Sequence, residues 1–134
     1  MQKLAFVLAL LFIKIILPHV ATAQIDDQPL IDRLCNKWTI DHIESKGQVE
    51  KRNTEIEFKF ILRKDSTLLQ GLYPDGMIPS HWTLDKKNMI LDIKDDKTSM
   101  KYRMKIIRIS VDELILQDLS ADDYTLIYYK RDKD

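Results

Sequence analysis

Glu55-Ile56-Glu57-Phe58-Lys59-Phe60-Ile61-Leu62-Arg63 is the stretch that decides the fold. Ile56, Phe58, Phe60 and Leu62 alternate with Glu55, Glu57, Lys59, Ile61 and Arg63, so one face is wholly apolar and the other nearly all charged. Side chains of an extended chain point to opposite faces in turn, and this pattern predicts a half-buried antiparallel strand. Lys64-Asp65-Ser66 reads as a turn, and residues 67–72 run back as the partner.

Working outward, the same punctuation recurs. Tyr73-Pro74-Asp75-Gly76 is a strong turn signal, because Pro presets one backbone angle and Gly allows a positive one. Strands are predicted over 81–85, 89–94, 101–109, 114–119 and 124–131, separated by Lys-, Asp-, Asn- and Ser-rich turns. Upstream, Trp38, Ile40 and His42 alternate with Thr39, Asp41 and Ile43 as a first strand, followed by a polar connection over 46–53 that contains Gly47. Before it, Leu30, Ile31 and Leu34 have helical spacing, with Asp27 as a cap and Pro29 near the first turn. The expectation is an all-β protein: about eight short strands in an antiparallel meander, closed as a small barrel, after a short N-terminal helix. Closure would remove the sheet edges that invite aggregation.

The chain of 134 residues has 21 basic and 21 acidic side chains, interspersed rather than clustered. Nucleic-acid binding calls for a basic face or stripe, and none is visible. With 45% hydrophobic residues and Cys35 as the single cysteine, the fold rests on a core and not on disulfides. Cys35 reads as a small buried hydrophobe.

Residues 1–23 read as a secretory signal peptide: Lys3 near the start, an apolar run over 4–13 continued after Lys14 by 15–17, Pro18, and then Ala21-Thr22-Ala23. Cleavage between Ala23 and Gln24 leaves residues 24–134 as one domain, periplasmic or secreted. Lys14 divides the apolar run before it reaches the roughly 20 residues of a membrane span. Losing Lys3 and Lys14 takes the basic count from 21 to 19 against 21 acids.

No constellation for catalysis stands out. His42 and His81 are the only histidines beyond the signal segment, and no zinc-ligand spacing accompanies them. Asp95-Asp96 and Asp122-Asp123 fall in turns, where Asp is favoured for backbone reasons. Three glycines make no phosphate loop, and there is no Gly-x-Ser-x-Gly elbow. Neither an enzyme, a metal nor a cofactor is expected.

Four short stretches resemble the small lipocalin-like domains of exported bacterial proteins. Leu34-Cys35-Asn36-Lys37-Trp38 is similar to that family's opening Leu-x-Gly-x-Trp, and Phe60 through Asp65-Ser66-Thr67 to its Phe…Asp-Gly-Thr hairpin. Trp82-Thr83-Leu84 with Met89-Ile90-Leu91 resembles its central hairpin, and Tyr129-Lys130-Arg131 its closing Tyr-x-Arg. Asn36 and Ser66 stand where the family has Gly. The resemblance implies a barrel in which Arg131 lies across Trp38 as a structural clasp, a cation–π contact worth about 0.5–2 kcal/mol.

An eight-strand barrel is either packed solid or holds one small ligand. The function expected is therefore a binding module for a small apolar or amphipathic ligand, lined by Phe58, Phe60, Leu62, Leu84, Met89, Leu91, Tyr102, Met104 and Leu116. The competing expectation is a solid-cored envelope module that binds a protein or polymer, using exposed tyrosines of the last strand, Tyr124 and Tyr128, or Tyr129, depending on register. A monomer is expected in either case.

Overall fold

The computed structural model describes residues 28–51 and 55–133. Among the described residues one helix, α1 (Gln28–Leu34), precedes nine strands: β1 (Lys37–Ser45), β2 (Gln48–Lys51), β3 (Glu57–Leu62), β4 (Thr67–Tyr73), β5 (Gly76–Asp85), β6 (Ile90–Asp95), β7 (Lys101–Ile109), β8 (Glu113–Asp118) and β9 (Thr125–Arg131). All pairings are antiparallel. From β3 to β9 each strand pairs with the next, and β1 bridges β9 and β3, so that eight strands close into a barrel with β2 as an extra. Among the described residues, no helix is long and apolar enough to cross a membrane.

β1 makes the closure. One of its edges pairs with β9 from Trp38 to Ser45, with a register shift between Ile40 and His42. The other edge is divided: Lys37, Trp38 and Thr39 pair with β3, whereas His42 to Ser45 pair with β2. Above Thr39 the β1–β2 hairpin therefore splays away from β3.

The barrel has two unlike ends. At one, α1 and the turns after β3, β5 and β7 close over Leu34, Trp38, Leu62, Leu68, Trp82 and Leu91, all buried in one cluster. Full burial of such side chains contributes about 1.5–3 kcal/mol each. Trp38 Nε1–H donates to the Leu34 carbonyl at 3.0 Å, and Trp82 Nε1–H donates to the carbonyls of Arg63 and Thr67. Each indole is thus packed and polar-satisfied at once. At the other end lie the turns after β1, β4, β6 and β8, with nothing comparable across them among the described residues.

Two expectations need revision. Residues 48–51, read as part of a polar loop, form β2; all four are exposed, so no apolar face announced the strand. Its hairpin is set by Lys46 and Gly47, both at positive φ (54° and 74°), the requirement of a tight two-residue turn. β5 begins at Gly76 and runs through Pro79 without a break. The Pro79 carbonyl accepts from the Asp96 amide, so its missing N–H faces the β6 side just beyond the last β5–β6 pair, Ser80 with Asp95. Asn36, which the lipocalin-like resemblance sets where that family has Gly, is not left-handed; its side-chain amide instead donates to the Arg33 carbonyl at 2.8 Å, capping α1. Ser66 does adopt positive φ, 70°. The Asp27 cap and the Ala23–Gln24 cleavage site lie outside the described residues.

Candidate functional site

Inward-facing side chains form a continuous core only in the closed half of the barrel. Towards the open end the interior becomes a cleft of about 590 Å³. That volume lies within the range of small-molecule sites, roughly 300–1,000 Å³. Its position follows from β1: with the upper half of β1 paired to β2 instead of β3, the wall between Glu50 and Phe58 is not sealed by a ladder.

Ile40, Ile43, Met104 and Ile127 line the walls. Ile56, Phe58, Leu72 and Ile78 surround the mouth, and each is 39–50% exposed. Isolated surface hydrophobics are ordinary, but four around one opening form a patch of the kind that marks binding sites. Gly71 also lines the cleft at φ 133°; a Cβ there would meet the Gly76 carbonyl oxygen at 2.2 Å, so the backbone of the β4–β5 hairpin closes to a distance that only glycine permits.

The polar groups of the cleft are few. Tyr129 stands opposite Ile40 and packs its ring against Phe60, centroids 5.3 Å apart. It is 3% exposed, and its hydroxyl makes no hydrogen bond with another described residue. Burial, then the neighbouring Asp118 carboxylate, pushes its phenol far above the ordinary tyrosine range. Gln70 stands opposite Phe60 on the other side. Asp118, opposite Met104, and Glu50 and Lys51 of β2 complete the lining.

Of the residues expected to line a ligand site, the structure places Phe58, Tyr102 and Met104 in the cleft. Phe60, Leu62, Leu91 and Leu116 are fully buried in the core, and Leu84 and Met89 pack against that core as partly buried neighbours. Trp38 and Arg131 do face each other across the β1–β9 ladder, yet Arg131 is exposed and Trp38 is held by its bond to Leu34. The cation–π contact found among the described residues is Lys59 over Tyr73, 4.7 Å from the ring centroid.

The outer face carries the histidines. His42 stacks on Tyr128 (4.0 Å, 18°) and meets Asp41 at 2.6 Å, while Tyr128 donates to Glu44 at 3.1 Å. His81 meets Asp96 at 2.6 Å. Among the described residues no group of three or more His, Cys, Asp or Glu side chains could hold a metal ion.

The fold and site together define a class: a closed antiparallel barrel, solid below and hollow above, with an apolar mouth. No protein-family model, curated protein or solved structure matches the chain.

Proposed function

We propose that this protein is an exported binding module that holds a small apolar or amphipathic ligand in the open half of its barrel, in the manner of lipocalin-like domains. The observation that carries the reading is the cleft, walled by Ile40, Ile43, Met104 and Ile127 and rimmed by exposed apolar side chains. Water in such a space is displaced favourably by an apolar guest, at about 25 cal/mol for each Å² of apolar surface covered.

A neutral environment-sensitive dye, N-phenyl-1-naphthylamine, tests the site directly. Binding with enhanced emission is expected, and the bulkier side chain of Ile43→Trp, filling the cleft from its wall, should weaken it at least about tenfold. Native mass spectrometry of the protein exported by its own host should show an added small mass. A dye that ignores the native protein, together with a bare native mass, rules the reading out.

A further inference from the structure

The cleft offers hydrogen-bonding groups at its floor as well as an apolar mouth. Ile56, Phe58, Leu72 and Ile78 are at the mouth, with Glu50 and Lys51 of β2 on the open side, whereas the side chains of Gln70 and Tyr129 lie within. Ladder positions show this. Gln70 and Tyr129 are each one or two strands from Phe60, at the level where the closed core begins. The Tyr129 hydroxyl is the decisive group: its residue is buried and lines the cleft, and the hydroxyl bonds to no other described residue yet is not sealed off from the cleft. A ligand that reaches it takes a hydrogen bond otherwise left to water.

Resting on the binding-module reading, we infer that the ligand is an amphiphile bound head-first, whose head group is a cation carrying N–H donors, as in a primary alkylamine. The head reaches the Tyr129 hydroxyl oxygen and the Gln70 side-chain carbonyl at the floor, passing under the Asp118 carboxylate at the open end of β8. The tail runs back along Ile43, Met104 and Ile127 to the apolar mouth. Charge selects the class. Asp118 and Glu50 are the acids of the lining and Lys51 the base, and Lys51 sits with Glu50 on the exposed outer strand β2. Asp118 is half-buried, and among the described residues its carboxylate accepts just the Ser120 amide, at 2.9 Å on Oδ1, leaving capacity for a cation. A carboxylate head entering the same space meets Asp118 as a like charge. The Tyr129 phenol, held neutral by burial, acts here as an uncharged acceptor.

Displacement of N-phenyl-1-naphthylamine by decylamine, decanol and decanoate at neutral pH tests the head group with the tail held constant. Decylamine is expected to displace the dye about tenfold more effectively than decanoate, with decanol between them. Tyr129→Phe retains the ring against Phe60 and removes only the hydroxyl; judged against the variant's own dye affinity, it should weaken decylamine about fivefold and leave decanoate little changed. Asp118→Asn should collapse the preference for amine over carboxylate. Decanoate binding as tightly as decylamine, or Tyr129→Phe leaving decylamine untouched, overturns the head-first cationic ligand while the cleft survives as a site. No dye binding at all removes both readings.

Discussion

Ser80 and Tyr129 both carry inward hydroxyls, and their settings differ. Ser80 is 1% exposed between Leu68 and Trp82, and its Oγ has no hydrogen-bond partner. Its desolvation is uncompensated, so Ser80→Ala should stabilise the protein by about 1 kcal/mol in urea unfolding, where a loss of stability would refute the account. Asp95 shows the opposite case. Its carboxylate accepts the amides of Thr98 and Lys97, which hold it below the ordinary carboxylate range. A folded-state pKa that is depressed contributes stability above the unfolded value of 3.8, lost as pH falls through the folded one. Acid unfolding of Asp95→Asn should accordingly be less steep below that value than in the parent. Cys35 is half-buried, and burial pushes its thiol up. Alkylation by iodoacetamide at neutral pH should be several-fold slower in the native protein than after unfolding.

At the scale of elements, the β4–β5 hairpin depends on Gly71. Alanine there must move the Gly76 carbonyl or abandon positive φ, and Gly71→Ala should cost about 2 kcal/mol or more by chemical denaturation. Gly47 also has positive φ, but nothing lies within 4 Å of a Cβ built on it, so Gly47→Ala should cost only about 1 kcal/mol. The contrast between the two is the check. Most strands were legible because Phe58-Lys59-Phe60 and Tyr102-Arg103-Met104 alternate oil with charge, and a pleated strand leaves no other way to bury one set. β2 was not legible, since Gln48, Val49, Glu50 and Lys51 face water on both sides and are held by the turn at Gly47 rather than by a core. The site was half legible for a related reason. Alternation tells which face a side chain takes but not its height along the barrel. Phe58 and Phe60 share a face, yet one is at the mouth and the other in the core. Height depends on which end α1 and the indoles close, a property of the assembled fold. Tyr129 stood out only as part of the closing Tyr-x-Arg stretch, and nothing in the sequence set its hydroxyl in the cleft.

For the whole molecule, a polar tie joins β1 to both of its barrel neighbours at once. Asp132, just past β9, accepts from Lys59 Nζ of β3 and Thr39 Oγ1 of β1, each at 2.5 Å, joining the three strands that meet at closure. Both ionic side chains are only 12% exposed. Burial works against the charged form of each, and the pairing outweighs it, lowering Asp132 and raising Lys59. Asp132→Asn should therefore lower stability at neutral pH by about 1–2 kcal/mol, a cost that fades as acid protonates the parent carboxylate through its depressed pKa. Urea titrations of parent and variant across that range provide the measurement.

The plug of α1 and two indoles has a kinetic corollary. A chamber stopped at that end cannot conduct, and it cannot be emptied from behind. Whatever occupies it must retreat by the route it took in before a successor enters, so turnover of guests is governed by how long the resident stays, and raising the concentration of a competitor in the surroundings should not hasten its departure.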